Sequence, residues 1–438
     1  MATIRGFMRV REAEWVGRFD HETDRTHVTQ QGNMRIMRRW AIATIVVMVT
    51  LAGGVLVARP FVHGLSFVIR AAEMDGTIRR VADLDASAER EREIAIPTAR
   101  GSMRGRVYEP IGAPHRVALL VSGLHPSGID EPRLMRLARQ LAADHLLVVT
   151  PDVPELSRFE ITPAITDTIE RTAGWLATES GLAPDRRVAL MGISFSGGLS
   201  LVAAGRPSLA ERVAYVLSFG GHDDLPRVLR YLCTGQEPYP SHQVGIRLKP
   251  DRTGDATDHP FTRAPHDYGV AVILLGVADR LVPARQVEPL REGIRQYLWA
   301  SALDGGVDKP RAAAEFDAVR ALTNKLPEPS ATLLRYVVDR DVVHLGPRLL
   351  PYVRFYGSDP ALSVSKAPKT SAPVFLLHGT EDNVIPPIES EYLAEDLRGT
   401  ASVRLLMSGL ISHAEADRPA HVGDVAALAS FWGDLLSR

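Results

Sequence analysis

The chain has 438 residues, about three times a typical domain, so its length predicts two domains or one large domain carrying an insertion. Lys plus Arg number 51 against 52 Asp plus Glu, a balance that excludes a nucleic-acid binder held by bulk charge. With 45% apolar and 24% charged residues, long disordered or collagen-like architectures are excluded as well. The single cysteine, Cys233, cannot form an intramolecular disulfide, and no Cys/His cluster has the spacing of a zinc site, so no metal is expected.

The first element is a local extreme. Nineteen residues without a charge run from Trp40 to Ala58, bracketed by Arg38, Arg39 and Arg59. As a helix they would span about 28 Å, close to the hydrocarbon thickness of a bilayer. A buried core helix usually carries a polar residue every turn or two, and nothing here is more polar than Thr44 and Thr50. A cleavable signal peptide fits less well, because 39 residues precede the run and Arg59-Pro60 follows it without an A-x-A-like site. An uncleaved anchor in a lipid bilayer is therefore expected. Arg25, Arg35, Arg38 and Arg39 before the span outnumber Arg59 and Arg70 after it, which puts the N-terminus inside and the remainder outside the cytoplasm, in the periplasm of a Gram-negative cell.

Residues 59–90 read as a juxtamembrane connector, partly helical around Ala71 to Ala88. A hairpin follows, Glu93 to Pro97 and Met103 to Tyr108, turning at Arg100-Gly101-Ser102. Val117 to Val121 is a short apolar run closed by Gly123, as expected of a strand buried on both faces. Pro132 opens a helix with Leu134, Leu137, Ala138 and Leu141 on one stripe, and a second buried-strand run, Leu146 to Val149, succeeds it. Thr162-Pro163 is expected to cap a helix bearing Ile165, Ile169, Ala173 and Leu176. Val188 to Ile193 reads as a strand, Phe195 to Ala204 as a helix and Val213 to Phe219 as a strand. Near the C-terminus, Val374 to Leu377, a helix around Glu389 to Leu397, Ser402 to Met407 and a helix from Val422 to Leu436 repeat the rhythm. Alternating strands and helices predict a mainly parallel sheet covered on both faces, with chemistry at the carboxyl ends of the strands.

Between residues 223 and 370 the alternation breaks. One strand-like run, Val270 to Leu275, is followed by helical patterns at Val287 to Ala300, Arg311 to Leu322, Ala331 to Val338 and Val342 to Val353. The stretch reads as an inserted, mainly helical lid.

The strongest chemical signal is Met191-Gly192-Ile193-Ser194-Phe195-Ser196-Gly197-Gly198, between a predicted strand and a predicted helix. A serine hydroxyl is a poor nucleophile and must stand exposed beside a base and oxyanion donors. A sharp strand-to-helix turn gives that exposure, and the small residues Gly192 and Ser196 let the backbone pass. The segment resembles the nucleophile elbow of the α/β-hydrolase fold, with Ser196 in place of the usual final Gly. Ser196 itself, as the competing serine, would lie inside the helix and face away from the strand ends.

The resemblance implies an acid and then a histidine further along. His378-Gly-Thr-Glu-Asp382-Asn-Val-Ile-Pro386 follows a strand and resembles the acid-bearing segment, with Asp382 as the acid and Glu381 one residue early. Thirty-one residues on, Gly409-Leu-Ile-Ser-His413 supplies a base in the loop after the last strand, with His421 as the alternative. Leu274-Leu-Gly276-Val-Ala-Asp279 also reads as strand, Gly and acid. Yet Asp279 lies 134 residues before His413, where one helix and one strand suffice after Asp382. The oxyanion hole would use the backbone N–H groups of Phe195 and of Leu124, in the loop Ser122-Gly123-Leu124-His125-Pro126. His125, and His222 in Gly220-Gly221-His222-Asp223, are candidates for contact with substrate, each with a bland packing role as its rival.

Taken together, the chain resembles a serine hydrolase of the α/β-hydrolase superfamily over residues 91–222 and 371–438. Its expected organisation is an N-terminal tail (1–39), a transmembrane helix (40–58), a connector (59–90), a first core part (91–222), an inserted lid (223–370) and a second core part (371–438). The implied chemistry is acyl transfer through Ser194, Asp382 and His413, with no metal or organic cofactor, on a small ester-type substrate. A peptidase or thioesterase of the same fold is the enzymatic alternative. A non-catalytic binding module with the insertion as its interaction surface is the other.

Overall fold

The computed structural model describes residues 54, 58–99, 101–237, 263–306, 308–411 and 422–438. The chain falls into two units, residues 1–61 and 62–438. Of the first, only residues 54 and 58–61 are described, and they are helical. The expected span, residues 40–58, thus lies outside the described residues except for Gly54 and Ala58. Among the described residues no helix is long and apolar enough to cross a membrane.

The second unit is built on eight strands: β1 (Glu89–Thr98), β2 (Gly101–Pro110), β3 (Arg116–Val121), β4 (Leu146–Pro151), β5 (Val188–Ile193), β6 (Val213–Phe219), β7 (Val374–Gly379) and β8 (Val403–Ser408). They form one sheet in the order β1-β2-β4-β3-β5-β6-β7-β8. The β1–β2 hairpin pairs antiparallel with itself and with β4, and every other pairing is parallel. A mostly parallel sheet with helices is consistent with the α/β-hydrolase architecture that the sequence resembles.

Burial on both faces explains the apolar runs. In β3, Val117, Leu119 and Val121 enter one core while Ala118 and Leu120 enter the other, the period of two that a pleated strand imposes. The first core lies under Pro163–Thr178, Phe195–Ala204 and the helices between β6 and β7. The second lies under Pro132–Ala143 and Val422–Leu436.

Three local expectations are corrected. Val270 to Leu275 is not a strand; it belongs to the helix Tyr268–Leu281, whose residues from Gly269 to Leu275 are all buried. A short apolar run buried all round carries no periodicity that separates the two conformations. Thr162 holds the N-cap position of Pro163–Thr178, yet its side chain makes no capping hydrogen bond. Residues 62–90 are more than a connector. Phe67 is buried with its ring 4.3 Å from that of Trp432, and Arg70, also buried, donates to both carboxylate oxygens of Asp144 at 2.7 and 2.8 Å. A Cβ at Gly64 would stand 1.9 Å from the Ala429 carbonyl oxygen, so glycine is what lets this segment lie against the C-terminal helix.

Candidate active site

The parallel registers fix where the loops emerge. Val121 pairs with Gly192, Ile193 with Phe219, and Phe219 with Leu377, so β3, β5, β6 and β7 end at one rim. Ser122 to Leu124, Ser194, Gly220 to His222 and Thr380 to Asp382 follow directly at that rim.

Ser194 stands between β5 and the helix Phe195–Ala204 with φ 55° and ψ −128°. A non-glycine residue at such a φ is strained by about 1–3 kcal/mol and persists only when its surroundings hold it. The Ser194 N–H donates to the Phe219 carbonyl at 2.6 Å, and its own carbonyl accepts from Gly197 N–H at 2.8 Å. A Cβ on Gly192 would lie 2.1 Å from the Ser196 carbonyl oxygen, so the tight turn requires glycine there. Ser194 remains half-buried, whereas Ser196 is fully buried and donates to the Ser122 carbonyl at 2.5 Å. Its hydroxyl thus secures the loop after β3 to the elbow and is turned away from the cleft.

That loop runs against the serine. A Cβ at Gly123 would sit 3.3 Å from Ser194 Cβ and 3.9 Å from Oγ, with Leu124 next along the rim. Phe195 opens the elbow helix, and the first N–H groups of a helix have no carbonyl behind them.

Asp382 is almost fully buried. Its Oδ1 accepts from the N–H groups of Val384 at 2.8 Å and Ile385 at 3.0 Å, which fixes the carboxylate plane. Its Oδ2 lies 3.6 Å from where a Cβ on Gly220 would stand, at the exit of β6. His378 of the same segment is buried and engaged: Nδ1 accepts from Ser390 Oγ at 2.6 Å, and Nε2 donates to the Ile385 carbonyl at 3.0 Å and lies 3.4 Å from Asp382 Oδ2. Asp279 is elsewhere, half-exposed near the end of Tyr268–Leu281 and paired with Arg291 at 3.4 Å. His413 and His421 lie outside the described residues. The chain leading to His413 is described as far as Ile411, whose carbonyl oxygen is 2.3 Å from where a Cβ on Gly379 would be, three residues before Asp382.

A small, partly open cleft lies over Ser194. One wall is the stripe Leu225, Val228, Leu229 and Leu232 of the helix Leu225–Thr234, spaced as one helical face, with Tyr268 and Val272 beside it. Gly269 allows this closeness, since a Cβ there would meet Leu232 Cδ2 at 2.5 Å. Leu124, Ile161, Phe195, Val384 and Ile385 complete the lining, and among the described residues none that lines the cleft is charged.

His222 also borders the cleft. It stacks on Phe195 with ring centroids 5.2 Å apart, donates from Nε2 to the Leu362 carbonyl at 2.9 Å, and is held below the usual histidine range by burial. His125 does not line the cleft; its Nδ1 accepts from Ser127 N–H at 3.2 Å, and burial again lowers its pKa. Of the metal-ligand residue types, His63, Asp85 and Asp144 form a cluster among the described residues. There Arg70 already supplies the cation to Asp144.

Sequence reasoning missed how the segment between β6 and β7 holds the acid loop. Arg263 Nη1 donates to the Thr380 carbonyl at 3.1 Å, His266 N–H to the Asn383 carbonyl at 2.9 Å, and Tyr231 Oη to the same carbonyl at 3.3 Å. Below them, Glu389 accepts from Arg227 Nε at 2.5 Å and Nη2 at 2.9 Å, and from the N–H groups of Asp223 and Asp224 at 2.9 and 3.1 Å. One guanidinium thus faces two buried carboxylates, and Asp223 is pushed up to about 7, mainly by burial and then by the neighbouring carboxylates. No sequence pattern marks contacts this distant in the chain; the spacing of Leu225, Val228, Leu229 and Leu232, not read as a helix from the sequence, is the signal that could have shown this wall.

No protein-family model matches the chain, and no curated protein matches it. Solved structures do. An esterase from Pyrobaculum calidifontis is 15% identical, over 84% of this chain and 93% of its own, with a TM-score of 0.40. A thermostable esterase from Pseudomonas putida is 14% identical, over 84% and 86%, with a TM-score of 0.41. An acylaminoacyl peptidase from Pyrococcus horikoshii is 12% identical over 83% of this chain, which spans only 43% of that enzyme, with a TM-score of 0.41.

Proposed function

We propose that the protein is a serine hydrolase acting on carboxylic esters, with Ser194 as nucleophile, His413 as base and Asp382 as the residue that orients the base. The observation that carries this reading is Ser194 itself, held at φ 55° on a strand-to-helix turn at the floor of an apolar cleft. A strained serine at the rim where four parallel strands end has a use as a nucleophile and none as a packing residue. His413 is two residues beyond Ile411, and two residues span at most about 7 Å. Ile411 lies against the end of β7, three residues before Asp382.

In this mechanism Ser194 Oγ attacks the ester carbonyl carbon while His413 takes its proton. The oxyanion is met by the N–H groups of Phe195 and Leu124. The tetrahedral species collapses, the alcohol leaves with the proton from His413, and water, deprotonated by the same histidine, releases the acid from Ser194. Asp382, fixed through Oδ1 by two backbone donors, holds the histidine in its working tautomer. The uncharged cleft favours an apolar acyl or alcohol group, and its cover of helices, residues 223–370, acts as a lid. Residues 40–58 anchor the enzyme in a membrane, with residues 59–438 outside the cytoplasm.

The reading is tested by comparing p-nitrophenyl esters of increasing acyl length with aminoacyl p-nitroanilides on the purified chain and on Ser194→Ala. Ester turnover that is lost in the variant is expected. Amide turnover alone would make the enzyme a peptidase, and turnover of neither would favour a binding module.

A further inference from the structure

Large apolar side chains left in water need a partner. Among the described residues ten are exposed, and six of them fall between Phe61 and Leu84. Ile78, Val81 and Leu84 are spaced by three residues, so the helix Thr77–Asp83 and its C-cap carry them on successive turns as one stripe, and Met74 lies in the loop before the helix. Met74, Ile78, Val81 and Leu84 are 44%, 46%, 61% and 86% exposed. The same helix is tied to the protein at Ala82, which is buried and whose carbonyl accepts from Ser66 Oγ at 2.8 Å. The helix is therefore held in place while Ile78, Val81 and Leu84 stay exposed. Arg80 is exposed beside the stripe, and Arg79 is engaged with Asp83 at 2.7 Å.

We propose that this stripe, Ile78, Val81 and Leu84, with Met74 exposed in the loop before it, is a membrane-surface contact that seats the catalytic unit on the lipid headgroup and upper acyl region. The occupant follows from where the chain comes from. The uncharged segment 40–58 ends sixteen residues before Met74. A segment anchored that close keeps this helix near a bilayer, where exposed aliphatic side chains gain burial and an arginine meets lipid phosphates. The inference rests on the reading of residues 40–58 as an anchor. It adds that the unit lies on the membrane instead of hanging from it.

The test uses the full chain in vesicles of phosphatidylethanolamine and phosphatidylglycerol. Cys233 is buried and its thiol is pushed up to about 12, so an added surface cysteine can be labelled selectively. Val81→Cys and Val343→Cys, the latter exposed on a helix of the insertion, each receive an NBD fluorophore. Vesicles carrying acyl-chain quenchers should then quench the label at 81 by about twofold or more and leave the label at 343 unchanged. Carbonate extraction, run in parallel, reads the anchor separately. Equal, unquenched signals from a carbonate-resistant chain would overturn the surface contact and leave the anchor standing. A chain released by carbonate with no quenching at 81 would overturn both.

Discussion

Replacing Gly123 by alanine adds one methyl group at the place where the reaction is assigned. That methyl would stand 3.3 Å from Ser194 Cβ, 3.4 Å from the Ile193 carbonyl oxygen and 3.9 Å from Ser194 Oγ. Gly123 is not among the residues with positive φ, so alanine accepts the backbone, and a shift of a few tenths of an ångström relieves the contact. The expected cost in stability is below about 1 kcal/mol, as for mild overpacking. Catalysis should suffer far more. The attacked carbon has to approach Oγ to about 3–3.5 Å, so the methyl competes for the same shell, and a displacement near 1 Å costs about 100-fold, or roughly 2.7 kcal/mol of barrier. The assay pairs kcat/KM on an aryl ester with a urea unfolding midpoint. A Gly123→Ala enzyme with full activity would refute the placement of the carbonyl between this loop and Ser194, and with it the role given to Leu124 N–H.

Further outcomes follow from the same geometry. Asp382→Asn should lower kcat by 1,000-fold or more, on the order of the loss when a triad acid is neutralised, while Asp279→Asn leaves it unchanged; the reverse result in steady-state kinetics would move the acid to the insertion. Arg227→Leu strips from Glu389 and Asp223 the cation that pairs with both among the described residues, and should destabilise the unit by about 3–5 kcal/mol in urea titrations. A loss below about 1 kcal/mol would mean the carboxylates find another partner. Asp223, pushed up to about 7, binds its proton more tightly folded than unfolded. Its favourable contribution is full below about 4 and is lost as pH rises through 7, with a ceiling of roughly 4 kcal/mol. Asp223→Asn should therefore gain stability over the parent at pH 8 and not at pH 4, and a gain independent of pH would contradict the charge argument. Phe67→Ala, which empties a buried site against Trp432, should cost about 3–5 kcal/mol by the same titration.

Elements defined by local chemistry were legible in the sequence. Val188 to Ile193, Phe195 to Ala204 and Val213 to Phe219 have the same bounds in the structure, because each is framed by its own turn residues and apolar pattern. The turn positions of Ser194 and Asp382 were legible for a related reason: small residues around Ser194 and a strand-Gly-x-x-Asp segment are local signatures of backbone turns. What depended on distant partners was not. Val270 to Leu275 reads equally as strand or buried helix until the helices around it are known. Phe67 and Arg70 look like linker residues, since their partners Trp432 and Asp144 are hundreds or tens of positions away. The same holds for Arg263, His266 and Tyr231 on the acid loop. The order of strands and turns in the chain could be read, but the supports that hold the loops belong to tertiary structure.

The central claim is that Ser194 is a reactive nucleophile, and covalent labelling by a fluorophosphonate tests it most directly. The folded chain is expected to take up one phosphonyl group, located on the Ser194 peptide by mass spectrometry, with labelling abolished in Ser194→Ala and strongly slowed in His413→Gln. A folded chain that stays unlabelled, or is labelled at another serine with Ser194→Ala unaffected, would contradict the account.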